Sequence, residues 1–339
     1  MTVHETDAVV VGAGPVGLFA VFQCGMVKIR CHVVDALESV GGQLAALYPE
    51  KPIYDIPGHP SILAADLVER LTEQAAPFAP VYHHDAQVVA LTREADGRWR
   101  AGLSNGDAIL AKAVIIAAGG GAFGPNRPPL DGLERFEGKS VFYLVRRRED
   151  FRGKRVVIAG GGDSAVDWAI SLSELAAKVM VVHRRPKFRA APESEARLKQ
   201  LADAGVVELV VPYQLHGLDG EADGTLSAVV VTTLDGEPRR LDADVLLPFY
   251  GLSSDLGPIA DWGLDMDRAV IAVDPATGAT SAPGVFACGD ICTYPGKLKL
   301  ILSGFAEAAR VAHSAHDVVH PGEALHFEHS TTSGVPGTK

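Results

Sequence analysis

DAVVVGAGPVGLFAVFQCG, residues 7–25, joins two apolar runs through a glycine turn, which predicts a buried strand, a tight turn and a helix. Gly12, Gly14 and Gly17 form a GxGxxG pattern. The first glycine permits the turn, the second lets the backbone approach a pyrophosphate, and the third lets the helix pack close to the strand. The pyrophosphate then lies at a helix N-terminus, where free N–H groups favour an anion. Because such turns also arise for structural reasons alone, the pattern needs further support.

The same pattern recurs in the middle of the chain, in RVVIAGGGDSAVDWAISL at residues 155–172. A β-rich run follows each turn, at residues 29–35 and at residues 178–185. Two such units predict an α/β fold with two Rossmann-like, three-layer domains that each bind a dinucleotide. The candidate binding residues of the second turn are Gly160, Gly162, Asp163 and Ser164.

The end of the second strand differs between the two units. Twenty-three residues after the first glycine lies Asp35 in the first unit and His183 in the second, where Arg184 and Arg185 follow. A carboxylate accepts hydrogen bonds from a free ribose 2′-OH, whereas arginines bind a 2′-phosphate. We therefore expect an adenosine with a free ribose in the first unit and NADPH in the second. The alternative is that Arg184 and Arg185 form a solvated strand end.

Composition is that of an ordinary globular protein. The 339 residues suffice for about two domains, and no apolar run approaches the ~20 residues of a membrane span. A net charge of −11 disfavours nucleic acid as a partner. Cys24, Cys31, Cys288 and Cys292 form no CxxC pair and no metal-ligand spacing. We therefore expect reduced thiols, no bound metal and a cytoplasmic location.

Positive charge is concentrated in the middle of the chain. Residues 127–199 hold 16 Lys and Arg against 10 Asp and Glu, a balance of +6 that leaves −17 for the remainder. This region contains three consecutive arginines, at positions 146–148. Either these arginines are a solvated surface, or they help to dock an acidic partner.

Five blocks of sequence carry a resemblance to a known family. They are GGQLAALYPEKPIYDIPG (41–58), GGGDSAVDW (160–168), HRRPKFRA (183–190), GDICTYPGKLKLILSGFAEA (289–308) and HSTT (329–332). In these blocks, and over nearly its whole length, the chain resembles the thioredoxin-reductase-like ferredoxin–NADP⁺ reductases. The resemblance implies a thioredoxin-reductase-like architecture, FAD and NADP(H) as cofactors, ferredoxin or flavodoxin as electron partner, and a homodimer.

The resemblance also implies roles for residues around the FAD. Asp35 would hold the adenosine ribose, and Val88 would contact the adenine through its backbone. Gln43 and Tyr48 would lie along the flavin, with the Tyr48 ring near the isoalloxazine. Without the resemblance, Tyr48 could equally be a packed aromatic side chain between Leu47 and Pro49.

Further roles are implied for residues nearer the end of the chain. Phe123 would lie at the flavin end of a glycine turn, and Thr331 would approach the flavin, with His329 as a candidate stacking residue. Asp290 would bind the ribityl or pyrophosphate part, at the entrance of a helix through residues 300–312. A structural alternative is that Asp290 caps that helix.

One expected feature of thioredoxin reductases is missing. These enzymes carry a CxxC pair ahead of the second glycine turn, and counting back 17 residues from Gly160 places its cysteines at Tyr143 and Arg146. Thiol–disulfide exchange requires a thiolate. The resemblance therefore implies hydride transfer from NADPH to the flavin N5 and reversible transfer of single electrons to an iron–sulfur protein. No catalytic acid, base or nucleophile from the protein is needed.

Two other functions stay open at this point. One is an NADPH-dependent flavin reductase with another acceptor, such as flavodoxin, rubredoxin, a quinone or a dye. The other is a redox sensor without enzymatic activity, although two complete dinucleotide units argue against it because a sensor needs only one.

We expect the second domain to be inserted into the first. The FAD-binding domain would comprise residues 1–125 and 253–339, and the NADPH-binding domain residues 126–252. The first boundary falls in GPNRPPLDG, residues 124–132, which is rich in Pro and Gly as linkers are. A short antiparallel section is expected at residues 87–106.

Overall fold

A computed structural model of the chain describes residues 2–325 and 334–335. For residues 122–123 and 252–254 it describes the backbone only. Among the described residues, no helix combines the length and hydropathy that a membrane span requires.

The chain divides into two compact units. The first comprises Met1–Ala122 and Ser254–Lys339, and the second comprises Phe123–Ser253. The second unit is thus an insertion in the first. The expected boundaries, after residues 125 and 252, lie within three residues of those of the structure.

Helices and strands are numbered here in chain order. The α-helices of the described residues are α1 (Pro15–Met26), α2 (Gly42–Leu47), α3 (Ala64–Ala75), α4 (Asp163–Leu172), α5 (Pro192–Asp203) and α6 (Ile301–Val319). The strands are β1 (Val3–Val11), β2 (Cys31–Val34), β3 (Pro52–Ile53), β4 (Ile62–Leu63), β5 (Val81–His83), β6 (Val88–Arg93), β7 (Trp99–Leu103), β8 (Ala108–Ile116), β9 (Ala122–Pro125), β10 (Arg155–Ala159), β11 (Lys178–Val182), β12 (Val207–Val210), β13 (Gln214–Gly220), β14 (Leu226–Thr232), β15 (Pro238–Asp242), β16 (Val245–Pro248), β17 (Leu252–Asp255), β18 (Met266–Asp267), β19 (Val270–Ala272), β20 (Val285–Ala287) and β21 (Cys292–Thr293). Short 3₁₀ helices span Ala76–Phe78, Leu133–Arg135, Arg148–Phe151, Gly257–Asp261 and Gly289–Ile291.

The first unit is built on a sheet with strand order β5-β2-β1-β8-β7-β6, and β20 also pairs with β8. The strands β5, β2, β1, β8 and β20 are parallel, whereas β6 and β7 form an antiparallel hairpin beside β8. The hairpin confirms the antiparallel section expected at residues 87–106. Strand β8 pairs with β7 through residues 108–111 and with β20 through residues 114–116.

Both faces of this sheet are covered. On one face, α1 and α6 pack against a core that includes Ala20, Ile115 and Ala312. On the other face, side chains such as Val9 and Ile116 pack against residues of the segment that returns to the first unit. A strand covered on both faces is apolar along its whole buried length, which explains the unbroken run of buried residues in β1 up to the glycine turn.

The second unit has the same plan on a smaller scale. Its parallel sheet has the order β12-β11-β10-β16, and α4 and α5 follow β10 and β11 in the chain. The antiparallel strands β13, β14 and β15 form a separate sheet. Val229 and Val231 of β14 share a core with Phe136, Val157 and Met180, so this second sheet covers one face of the parallel sheet.

The surroundings of Asp290 differ from the expectation. Asp290 lies in the 3₁₀ turn Gly289–Ile291, and α6 begins only at Ile301, where Leu300 is the N-cap residue. The interpretation of Asp290 as the cap of the following helix is therefore wrong. The helix also ends at Val319, beyond the expected residue 312.

Candidate functional site

The first glycine of each turn occupies the same position in its unit. The Gly12 N–H donates to the last carbonyl of β2 at 2.8 Å, and the Gly160 N–H donates to the last carbonyl of β11 at 3.0 Å. A Cβ on Gly12 would lie 2.5 Å from the carbonyl oxygen of Ala117, and one on Gly160 would lie 2.6 Å from that of Phe249. Both oxygens belong to the residue that follows the neighbouring strand. Only glycine therefore fits at the first position of each turn.

The second and third positions of the motif have different surroundings. Gly14 and Gly162 are the N-cap residues of α1 and α4, and none of the described side chains caps either helix. A Cβ on either glycine would meet no protein atom within 4 Å. In contrast, a Cβ on Gly17 would lie 1.9 Å from the Gly12 oxygen. The turns thus combine close helix packing with open space at a helix N-terminus, which fits a pyrophosphate.

Asp35 follows β2 directly and fastens the first turn. Its Oδ2 accepts a hydrogen bond from the Ala13 N–H at 2.6 Å, and its Oδ1 accepts one from the Leu37 N–H at 2.8 Å. A carboxylate has about four acceptor sites, so both oxygens keep capacity for the hydroxyl groups of a ribose. The Ala86 N–H donates to the Asp35 carbonyl at 3.1 Å, and Val88 lies buried two residues farther along.

Helix α2 brings Gln43 to the same turn. The Gly41 N–H donates to the Ala13 carbonyl at 2.8 Å, and a Cβ on Gly42 would lie 3.1 Å from the Cα of Gly14. Gly41 and Gly42 both have positive φ, at 113° and 55°. Gln43 is the next residue, so the fold places it beside the first glycine turn.

Tyr48 and Asp290 lie near each other in the first unit. Burial raises the pKa of the Tyr48 hydroxyl, and the negative charge of Asp290 acts in the same direction. The turn that carries Asp290 abuts the start of α1, since a Cβ on Gly289 would lie 3.4 Å from the Val16 side chain. The structure therefore gathers Tyr48 and Asp290 on the side of the unit where α1 begins.

Three residues of the predicted FAD site are described in part or not at all. Phe123 lies in β9, and its side chain is outside the description. Thr331 and His329 lie outside the described residues.

In the second unit, the segment after β11 folds back over the glycine turn. The Arg189 N–H donates to the Gly161 carbonyl at 2.6 Å, and the Ala191 N–H donates to Asp163 Oδ1 at 2.8 Å. The His183 ring packs on Gly161, where a Cβ would lie 2.3 Å from it. Burial lowers the pKa of His183, and the charges of neighbouring arginines also lower it. The His183 ring therefore packs against the turn. Ser164 is exposed in the first turn of α4.

Four cations of this segment are exposed: Arg184, Arg185, Lys187 and Arg189. None of them takes part in the salt bridges among the described residues. Arg184 lies near Tyr250, which is 40% exposed; partial desolvation raises the pKa of the Tyr250 hydroxyl, and the charge of Arg184 opposes that rise. Uncompensated cations beside a helix N-terminus favour a phosphate.

The three consecutive arginines differ from that group. The Arg147 Nε lies 3.7 Å from Asp150, and the Arg148 guanidinium lies 2.6 Å from Glu174. Arg146 is exposed. Most of the positive charge of this stretch is therefore balanced within the second unit.

The cysteines do not form a redox site. All four are buried and free. Burial raises the pKa of Cys288, and it raises that of Cys292 to about 12. At the position of the missing dithiol, the Tyr143 hydroxyl donates to Glu137 at 2.6 Å.

Glu307 was not among the predicted site residues; its carboxylate is buried and bonds to the turn that carries Asp290. A signal was present, because Glu307 lies three residues after Gly304 and four before Val311, on the apolar face of α6. An acidic residue in such a stripe is buried only if it is paired.

The chain is similar to several known proteins. The model of a family described as pyridine nucleotide-disulphide oxidoreductase matches residues 6–316. A ferredoxin–NADP reductase of Paramagnetospirillum magneticum is 85% identical over 99% of both chains, and one of Rhodospirillum rubrum is 66% identical over 98% of this chain and 97% of its own. Among solved structures, a thioredoxin reductase of T. acidophilum is 25% identical, with a TM-score of 0.79 over 93% of this chain and 98% of its own. One of Lactococcus lactis is 22% identical, with a TM-score of 0.78 over 93% and 99%.

The two structural likenesses confirm the predicted thioredoxin-reductase-like fold. The family match covers both glycine turns and the segment through Asp290. The chain belongs to the pyridine nucleotide-disulphide oxidoreductase family, and within it to the group of ferredoxin–NADP reductases.

Proposed function

We propose that the protein is a ferredoxin–NADP⁺ reductase that uses FAD to move electrons between NADP(H) and ferredoxin. The observation that carries this proposal is the contrast between two matching positions. After the second strand of each unit, the first unit has the carboxylate of Asp35 and the second has the cations of Arg184 and Arg185. This contrast suits two dinucleotides that differ in a 2′-phosphate.

FAD binds to the first unit in this proposal. The open N-terminus of α1 takes the pyrophosphate, and the Gly12, Gly14 and Gly17 turn keeps it close to the backbone. Asp35 binds the adenosine ribose with its free acceptor sites, and Val88 adjoins the adenine. The residues that complete the site are Gln43, Tyr48, Phe123, Asp290 and Thr331.

NADP(H) binds to the second unit at the N-terminus of α4. Gly160 and Gly162 shape the turn, and Asp163 fastens the returning segment through its bond to the Ala191 N–H. Arg184 and Arg185 bind the 2′-phosphate, for which they have no competing carboxylate among the described residues. Ser164 and His183 flank this site.

The protein has Tyr143 and Arg146 where thioredoxin reductases have the two cysteines of the CxxC pair. The acceptor is therefore one that takes electrons directly from the flavin. FAD, when bound, accepts two electrons as a hydride and releases them one at a time, which suits an iron–sulfur protein. Cys288 and Cys292 are buried and have raised pKa values, so neither favours the thiolate that exchange with a disulfide needs. The protein contributes binding, orientation and charge.

A steady-state assay with the purified protein tests the proposal. NADPH should reduce the bound flavin, and reduction of cytochrome c should depend on added ferredoxin. The same preparation should not reduce a disulfide acceptor at a comparable rate. A colourless protein without flavin, or equal activity with the disulfide, would refute the proposal.

We also propose that the protein is a homodimer in the cytoplasm. Four buried, free cysteines suit a reducing compartment. Large apolar side chains are exposed in the first unit, as expected of a contact surface: Tyr54, Leu63, Leu298, Leu300 and Leu302. Sedimentation equilibrium at micromolar concentration tests the dimer, and a mass of 35.7 kDa would exclude it.

A further inference from the structure

A buried ion pair lies beneath the turn that carries Asp290. Only 5% of the Lys297 side chain and 4% of the Glu307 side chain are exposed, and the Lys297 ammonium bonds to Glu307 Oε1. The Tyr294 hydroxyl donates to the same oxygen at 2.7 Å. The Lys297 ammonium also lies 5.6 Å from the centre of the Tyr294 ring.

The other oxygen of Glu307 holds the turn itself. Oε2 accepts a hydrogen bond from the Gly289 N–H at 2.8 Å, and the Cys292 sulfur lies 3.7 Å from it. The Gly289 N–H is therefore directed into the unit, whereas the next residue, Asp290, is exposed. Oε1 thus has two donors and Oε2 has the Gly289 N–H, whereas the Cys292 thiol lies closer to the Gly289 carbonyl oxygen, at 3.3 Å.

Stability alone does not explain this arrangement. Removing two charges from water costs several kcal/mol per ion, and an apolar pair of similar volume is often at least as stable. A carboxylate, however, can fix an N–H group that no helix or strand binds. The ion pair therefore serves to hold the short turn between β20 and β21 in place.

The turn is also fixed from its other side. A Cβ on Gly304 would lie 2.4 Å from Val16 and 3.5 Å from the Gly289 Cα. Helix α6, the turn and the start of α1 are therefore in direct contact. A displacement of the turn would move Asp290 relative to Gly14 and to Tyr48.

We propose that Glu307 is a positioning residue for FAD. Held by Lys297 and Tyr294, it anchors the Gly289 N–H and thereby sets the place of Asp290 beside the N-terminus of α1. The inference rests on the proposed function, because it takes the first unit to bind FAD.

The substitution Glu307→Gln tests this role. The Lys297 ammonium at one oxygen and the Gly289 N–H at the other can only donate, so the amide NH₂ must face one of them. We expect the rate of FAD release from the holoprotein, followed by flavin fluorescence, to rise about tenfold. The Michaelis constant for NADPH should not change, because the second unit is untouched. Tyr294→Phe removes one donor, retains the ion pair and should raise the release rate about threefold.

Asp7→Asn is the matched control. Asp7 is another buried carboxylate of the first unit, and it accepts from the Arg30 N–H at 3.1 Å and from its Nε at 3.0 Å. It bonds to none of the residues assigned to FAD. We expect this variant to lower the melting temperature without changing the release of FAD.

The outcomes separate the two proposals. If Glu307→Gln and Tyr294→Phe release FAD at the wild-type rate, the positioning role is wrong and the proposed function stands. The role is also wrong if Asp7→Asn speeds release as much as Glu307→Gln does, since the effect would then be general destabilisation. A wild-type protein that binds no FAD overturns both proposals.

Discussion

At the residue scale, the two units have the same backbone arrangement after their second strand but different side chains there. Asp35 and His183 both follow the strand whose last carbonyl accepts the N–H of the first glycine. Asp35 has its oxygens on the backbone of the turn, whereas the imidazole of His183 packs on Gly161 and leaves Arg184 and Arg185 exposed. The charge that we propose to select the nucleotide in the second unit therefore lies one and two residues beyond its counterpart in the first.

The double substitution Arg184→Ala/Arg185→Ala should abolish the preference for NADPH. Bonds between arginine and phosphate contribute a few kcal/mol, so we expect the Michaelis constant for NADPH to rise about 10- to 100-fold. That for NADH should stay near its wild-type value. Steady-state kinetics with both nucleotides measure the effect.

Arg239→Ala/Arg240→Ala provides the control, because these neighbouring arginines also belong to the second unit but pair with Glu208 and Asp219. The control should leave both Michaelis constants unchanged. An unchanged preference in the Arg184 and Arg185 variant would place the 2′-phosphate elsewhere.

At the element scale, α1 has two glycines with opposite tasks. Gly17 lets the helix approach the Gly12 carbonyl, whereas Gly14 leaves space in front of the helix. We expect Gly17→Ala to lower the free energy of unfolding of the FAD-free protein by about 3 kcal/mol, because a methyl group must displace backbone. Gly14→Ala should change it by less than about 0.5 kcal/mol, since Gly14 has a φ of −69° and a Cβ there would meet no atom within 4 Å.

The two variants should rank in the opposite order when their affinity for FAD is measured: Gly14→Ala should lose more affinity than Gly17→Ala, although it loses less stability. Gly14→Ala places a methyl group where we propose the pyrophosphate, so its affinity for FAD should fall although its fold is intact. Urea unfolding and FAD titration of each variant provide the comparison. Equal losses of stability in both variants would contradict the distinction.

The elements that were predictable are those with a local pattern. The apolar runs before Gly12 and Gly160 predict buried strands because parallel strands covered on both faces must be apolar. The end of the second strand was also predictable, since spacing along a βαβ unit is nearly constant. In contrast, the 3₁₀ turn of Asp290 has three residues and no such pattern, so the interpretation of Asp290 as a helix cap failed.

Other features depend on contacts between distant residues. The antiparallel sheet β13–β15 covers the second parallel sheet, but alternation in its strands does not reveal what they cover. The bond between Glu307 and the Gly289 N–H joins residues 18 apart across a turn and a helix. Sequence alone shows an acidic residue in an apolar stripe; only the fold shows which donors surround it.

At the scale of the whole molecule, histidines make the stability of the first unit depend on pH. His32 Nδ1 lies 2.9 Å from His83 Nε2 on the adjacent strand. Burial, followed by the charges of His83, His4 and Arg30, lowers the pKa of His32 to about 4. Burial and the charge of His4 also lower the pKa of His83.

We expect the melting temperature to fall as the pH decreases from 7.5 to 5. The pKa of an unfolded histidine is about 6.5, so between that value and about 4 the unfolded chain binds more protons than the folded one at His32. This contribution to stability is complete above the unfolded pKa and is lost as the pH falls. His32→Asn should make the decrease smaller, whereas His216→Asn, at an exposed position on β13, should not. Identical profiles for wild type and His32→Asn would contradict this origin.

The distribution of charge over the molecule bears on how ferredoxin docks. The middle of the chain has an excess of cations, but Arg147 and Arg148 are paired with Asp150 and Glu174. A paired surface cation attracts a partner weakly, because the adjacent carboxylate cancels its field beyond about a Debye length of 10 Å. The structure therefore favours the solvated surface over the docking site for these arginines.

Replacing Arg146, Arg147 and Arg148 together with Ser tests this interpretation. We expect the Michaelis constant for ferredoxin at low salt to change by less than about twofold, since little net attraction is removed. The Michaelis constant for NADPH should also stay unchanged, because the four exposed cations of residues 184–189 are intact. Arg127→Ser, which breaks another surface pair at 2.7 Å from Glu137, is the control for general effects of losing a surface arginine. A several-fold rise for ferredoxin that disappears at high salt, and that Arg127→Ser does not reproduce, would instead make the three arginines part of the docking surface, with Arg146 as its unbalanced charge.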